Sequence, residues 1–150
     1  MHAKKILFPT DFSTLSDAAL RHATTLARDS GAKLLIVHVE EPPAAYGTGE
    51  MYYGLPDPDM PALTKMLSDV VPADPQVPYE HRMLIGDPAT EIVTIATEEN
   101  VDLIVLGTHG RSGLSRLLMG STAEAVVRRA PCPVFTFKEP KPKKPDGEWL

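Results

Sequence analysis

Cysteine is almost missing from this chain of 150 residues, with Cys132 its single example. No disulfide can therefore form within the chain. That usage suits a reducing compartment, and the cytoplasm is the expected location. Long apolar runs are missing as well. None approaches the roughly 18 residues that span a bilayer, so no membrane insertion is expected. Near the amino end, Ile6-Leu7-Phe8 stops at Pro9. That run is shorter than the signal-peptide core of about 7–15 residues, and the domain is expected to begin almost at residue 1. Excess positive charge is absent too, since the net charge is −5. A nucleic-acid backbone asks for a clustered basic face, so nucleic acid is not an expected partner. Two phosphate-binding motifs are also lacking. No G-x-x-x-x-G-K-[ST] occurs, and no G-x-G-x-x-G follows the first apolar run.

What is present describes one globular domain. Hydrophobic residues make 43% and charged residues 23%, an ordinary soluble composition. A chain of this size hides roughly two-thirds of its unfolded surface. Proline is in excess, 15 of 150, against an average share of roughly 5%. Eight prolines fall between Pro42 and Pro78 and five between Pro131 and Pro145. Regular structure is expected to thin out in both regions.

Apolar runs and helical periods alternate along the chain. Lys5 to Phe8, Leu34 to Val39 and Leu103 to Leu106 are solid apolar runs, the pattern of parallel strands covered on both faces, and Pro133 to Phe137 reads as a fifth strand. Tyr79 to Ile85 alternates loosely and reads as a strand nearer an edge. Between them, Leu15, Ala18, Ala19, His22, Ala23, Leu26 and Ala27 recur at helical spacing, with Ser13 as cap and Gly31 as stop. A short helix is expected near Met60 to Val71. Another opens at Gly86-Asp87-Pro88, with Asp87 capping and Pro88 first inside. Leu114 to Met119 reads as one helical turn, and a last helix runs from Gly120-Ser121-Thr122 to Ala130. The long segment Glu40 to Pro58 has no period and exceeds ordinary loop lengths of about 12–15 residues. This order predicts a parallel sheet with helices on both faces. Residues 139–150, rich in Lys and Pro, form an expected disordered tail behind a domain at 1–138.

Ligands of open α/β sheets bind beyond the carboxyl ends of the strands, where strand order reverses. Two such ends carry polar loops. Pro9-Thr10-Asp11 follows the first strand, and Gly107-Thr108-His109-Gly110-Arg111-Ser112-Gly113 follows the fourth. Glycines let backbone N–H groups approach an anion closely. Gly120-Ser121-Thr122 then starts a helix, whose N–H groups and positive dipole end attract phosphate. The duller readings stay open beside these. Asp11 could merely cap the first helix or its turn. Gly110 and Gly120 could be turn glycines, and Ser121 with Glu124 forms a capping-box pattern. Arg111 and His109 could be solvated loop residues, although Arg111 also suits phosphate. His22 and His38 read as core or edge histidines. No histidines stand at metal-ligand spacing. Cys132 reads as buried and inert, and the Lys138–Lys144 cluster as a solvated tail. Tyr46, Met51, Tyr52 and Tyr53 could form a lid, a dimer contact or a disordered stretch.

Gly107-x-x-Gly110, nine residues, then Gly120-Ser121 resembles the ATP-binding signature of the universal stress protein family. Ile6 to Ser13, His38-Val39, Gly86-Asp87-Pro88 and Ala130 to Val134 resemble further stations of that family in the same order, over about residues 3–138. The resemblance implies a flavodoxin-like sheet of five parallel strands in the order 3-2-1-4-5. It implies an ATP site in which Asp11, with Pro9 and Thr10 beside it, meets the ribose and Val39 frames the adenine. Gly107, His109, Gly110, Arg111, Gly113, Gly120, Ser121 and Thr122 would surround the phosphates, with Mg²⁺ or Mn²⁺ carried on them. It also implies a homodimer through the edge strand Val134 to Phe137, or a higher oligomer, and a protein partner that the sequence does not name. The function expected is a nucleotide-dependent stress-response switch. A slow ATPase or phosphotransferase, and a dimeric interaction scaffold independent of nucleotide, are the alternatives.

Overall fold

A computed structural model describes residues 2–42, 58–108, 120–138 and 144–148. The described elements run β1 (Lys5–Pro9), α1 (Thr14–Ser30), β2 (Lys33–Glu40), α2 (Met60–Ser68), β3 (Tyr79–Ile85), α3 (Pro88–Glu98), β4 (Leu103–Gly107), α4 (Ser121–Arg129) and β5 (Val134–Phe137). The five strands form one parallel sheet in the order β3-β2-β1-β4-β5.

The continuous apolar runs are explained by two cores, one on each side of the sheet. Successive strand residues point to opposite faces. Ile6, Phe8, Leu34, Ile36, Leu103 and Val105 pack against Ala19, Ala23 and Ala27 of α1 and Leu67 of α2. Leu7, Leu35, Val37, Ile104 and Leu106 pack against Ile92, Ile95 and Ala96 of α3 and Ala123 and Val126 of α4. The edge strands differ. No residue of β3 or β5 is fully buried.

Three helices begin on their own side chains. Ser13 accepts from the Ser16 N–H at 3.2 Å, Asp59 from the Ala62 N–H at 3.0 Å, and Asp87 from the Thr90 N–H at 3.0 Å. α1 ends at Gly31 with φ 72°, a left-handed stop that glycine adopts without strain. α2 ends at Ser68 rather than near Val71. Val71 precedes Pro72, and a residue before proline is pushed out of the helical region. His22 stands on the exposed side of α1, not in its apolar stripe. It stacks on Phe137 of β5 with ring centroids 4.2 Å apart and planes 6° apart. In the tail, residues 144–148 close a turn through the Lys144 N–H to the Glu148 carbonyl at 2.7 Å. The expected helical turn at 114–119, most of the 40–58 segment with Tyr46, Met51, Tyr52 and Tyr53, and the rest of the tail lie outside the described residues.

Candidate functional site

Because β1 and β4 are neighbouring parallel strands, their carboxyl ends lie on the same side of the sheet. Between them lies a cavity of about 250 Å³. Pro9, Thr10 and Asp11 line it from β1, Val39 from β2, Gly107 from β4, and Gly120, Ser121 and Thr122 from the start of α4. The sheet order thus gathers eight of the twelve candidate residues. The other four, His109, Gly110, Arg111 and Gly113, lie outside the described residues.

The turn after β1 is tightly specified. Thr10 is buried, and its N–H donates to the Val37 carbonyl at 2.8 Å. Its Oγ1 accepts from the Phe12 N–H at 3.1 Å, and Asp11 Oδ1 accepts from the Ser13 N–H at 3.0 Å. Phe12 sits at φ 66°, a left-handed conformation uncommon for a bulky residue. Asp11 therefore orders the turn rather than capping α1, a task that falls to Ser13.

α4 begins differently from the other helices. Its N-cap is Gly120, extended at φ −60° and ψ 160°, with no side-chain cap bond. Ser121 is already inside the helix, so the Ser121–Glu124 capping box does not form. Glu124 instead pairs with Arg128, four residues on. First-turn N–H groups have no partner within a helix. Here they are joined by two hydroxyls and the positive end of the helix dipole, all at the cavity wall. The Gly120 N–H donates to the Thr108 carbonyl at 2.6 Å, and the Thr108 N–H to the Phe137 carbonyl at 2.7 Å. The start of α4 is thereby tied to the ends of β4 and β5. An anion fits this corner. No described residue lining the cavity is lysine or arginine, so it would meet N–H groups and hydroxyls.

The opposite wall is acidic. Glu40 and Glu41 line it with Asp11. His38 also lines the cavity and is only 1% exposed. Read from the sequence as a core or edge histidine, it is both buried and part of the site wall. Its signal was a polar residue at the carboxyl end of an otherwise apolar strand. Ser13, Ser16 and Thr108 are further polar lining residues that the motif reading passed over. Among the described residues, no cluster of three His, Cys, Asp or Glu side chains could hold a metal ion. Cys132 is half-buried rather than buried. Burial, and then the charge of Asp102, push its thiol up, which keeps it protonated and a poor nucleophile.

The sequence profile described as universal stress protein family matches residues 2–138. The chain belongs to the universal stress protein family. A universal stress protein of Methanocaldococcus jannaschii, MJ0531, is 38% identical over 143 residues, covering 92% of this chain and 84% of that one. The solved structure of MJ0577 is similar with a TM-score of 0.72 and 30% identity, covering 95% of this chain and all of that one. A solved universal stress protein in complex with cAMP has a TM-score of 0.68 and 26% identity, covering 91% of this chain and 98% of that chain. The family and the parallel 3-2-1-4-5 sheet that the motifs implied are both present.

Proposed function

We propose that the protein binds ATP in this cavity and acts in the cytoplasm as a dimeric, nucleotide-dependent regulator of a stress response. The observation that carries the reading is the start of α4, a helix N-terminus left without a side-chain cap at the wall of a polar cavity. Phosphates would lie against Gly107, Gly120, Ser121 and Thr122, and against His109, Gly110, Arg111 and Gly113 of the loop between. Sugar hydroxyls would donate to Asp11 on the acidic wall, and Pro9, Thr10 and Val39 would enclose the nucleoside. Binding of cAMP by a relative supports an adenine nucleotide as ligand class. Mg²⁺ or Mn²⁺ would be carried on the phosphates, with Asp11 reaching it through water. The metal would neutralise phosphate charge that the described lining leaves without a cation. Phosphoryl transfer needs a placed nucleophile and neutralised γ-phosphate charge. With Asp11 engaged in its turn, the described lining favours retention over turnover. A bound nucleotide would shift the population of loop conformations that a partner reads.

The test uses Ser121→Asp. A carboxylate in the first turn favours the helix dipole and so maintains or raises stability. The same charge repels a phosphate. Wild-type protein is expected to release an adenine nucleotide on denaturation, detected by mass spectrometry, and to bind ATP with Mg²⁺ by calorimetry. The variant is expected to melt no lower and bind at least about tenfold more weakly, the equivalent of about 1.4 kcal/mol. Wild type that carries no nucleotide and gives no heat would sink the reading.

A further inference from the structure

β3 is an edge strand with half of its backbone turned away from the sheet. The Leu34 N–H donates to the Pro78 carbonyl at 2.9 Å, and the Gly86 N–H to the Glu40 carbonyl at 3.0 Å. Leu34 is level with Tyr79, and Glu40 with Ile85. Bonded residues alternate along a parallel ladder, so residues 80, 82 and 84 turn their N–H and C=O groups toward β2. Tyr79, His81, Met83 and Ile85 turn theirs outward. Among the described residues no strand pairs with that outer side.

Apolar exposure gathers at the same edge. The exposed large hydrophobics among the described residues are Met66, Val71, Tyr79, Ile85, Val127 and Phe135. The first four lie on β3, on α2 or on the chain between them, a concentration that marks an association surface. Side chains alternate between the two faces. Met83 joins the core beneath α1 and α2, which places Tyr79 and His81 on that face. Glu80 and Arg82 lie on the other, where Arg82 reaches Glu99 at the end of α3.

We propose that the outer side of β3 pairs antiparallel with β3 of a second copy, about a two-fold axis at His81. The proposal goes beyond the nucleotide reading and stands without it. The segment Tyr79-Glu80-His81-Arg82-Met83 is its own complement, with acid and base on either side of the axis and apolar residues beyond them. Turned about His81, Tyr79 comes opposite Met83 of the second copy, and Glu80 opposite Arg82. The outward residues 79, 81 and 83 then exchange about six N–H···O bonds. Glu80 and Arg82 take the closer, non-hydrogen-bonded positions, where opposite charges attract. Each can accept a further partner. Arg82 spends only Nη2 on its bonds to Glu80 and Glu99. Glu80 takes one bond on each oxygen, from Lys33 and from Arg82, and a carboxylate offers about four acceptor sites. Moving the axis to Arg82 would instead set two guanidinium groups face to face, which is destabilising. The charges thus select both the partner, a second copy, and the register. Few residues take part, so the contact is weak and forms at high protein concentration.

The experiment uses full-length protein carrying Cys132→Ser, so that an added cysteine is the only thiol. Opposed residues of a hydrogen-bonded antiparallel pair have Cα atoms about 5.5 Å apart, within disulfide reach. Under mild oxidation, His81→Cys is expected to form a disulfide-linked dimer and Arg82→Cys is not. Cross-linking of neither, of both equally, or of Arg82→Cys alone overturns the proposal. Sedimentation then reads the charges. Raising wild-type protein from about 10 µM to about 1 mM is expected to about double its mean mass. Arg82→Glu and Glu80→Arg each oppose like charges across the axis, and each should weaken association at least about tenfold. Mixed together, the two variants set Glu against Arg at both positions, and the growth in mass should return. A mixture that stays as small as either variant alone overturns the proposal. Each charge variant also loses an ion pair within its own chain, so a thermal melt checks that it folds. If one does not, the cysteine result decides.

Discussion

Gly86 shows how one residue sets the rim of the site. Its φ of +149° is a conformation that side-chain-bearing residues rarely adopt. Its N–H donates to the Glu40 carbonyl at 3.0 Å, joining the end of β3 to the end of β2 where His38 and Glu40 line the cavity. A Cβ there would meet Oε1 of Glu91 at 2.7 Å and its Cγ at 2.9 Å. Glu91 is a flexible side chain that can move aside, so the main cost is the backbone. Gly86→Ala is expected to destabilise by about 1–3 kcal/mol. A lower urea midpoint at unchanged slope would show it. An unchanged midpoint would mean that the strand ends relax freely, and that this junction does not hold the rim.

Among the elements, the way each helix begins separates structural termini from the candidate ligand terminus. Asp87 caps α3 with its carboxylate, accepting from both the N–H and the hydroxyl of Thr90. These bonds, the hydroxyl first, hold its carboxyl below the usual range. Asp87→Ala is expected to cost about 1 kcal/mol of stability in a thermal melt, whereas Gly120→Ser at the uncapped α4 should cost nothing, because serine caps a helix at least as well as glycine. Equal losses would mean that Gly120 is a structural cap like the others. Much of this was legible beforehand. Solid apolar runs gave the three central strands, because burial on both faces leaves no polar alternation. Ser13, Asp87 and Pro88 announced their helices through local chemistry. The Ser121–Glu124 pattern misled, because a capping box needs an extended residue at its first position and the chain gives that conformation to Gly120. The contacts of His38 were illegible for a different reason. Its partner Thr10 meets it only through the pairing of β1 with β2, a contact across 28 residues.

At the scale of the whole molecule, the sheet has two unlike ends and two unlike edges. β5 is a four-residue edge strand with Phe135 37% exposed, and an unpaired edge readily accepts another chain. If the dimer forms there, Phe135→Lys should shift sedimentation from dimer toward monomer, and an unaltered dimer would place the interface elsewhere. The amino end, remote from the cavity, is closed by charge. Lys5, Glu99, Arg82, Glu80 and Lys33 form a continuous chain of ion pairs at 2.9–3.1 Å. Beside it, Asp102 accepts from the Lys4 and Lys5 N–H groups at 2.8 and 3.1 Å. The carboxyls of Glu80, Glu99 and Asp102 are all held below their ordinary range, by the Lys33 bond first, the Lys5 bond first and the Lys4 N–H first, respectively. Depressed carboxyls contribute stability above their unfolded values and lose it as pH falls through the folded ones. Stability is therefore expected to hold toward neutral pH and to fall once the pH drops below about 4. Salt should weaken the exposed ion chain but spare the backbone bonds of Asp102. Glu99→Gln should flatten the acid limb at low salt and do little at high salt, while Asp102→Asn should flatten it at both. Denaturant midpoints at several pH values and two salt concentrations decide it. An acid limb that neither substitution alters would move the acid-sensitive groups away from the amino end of the sheet.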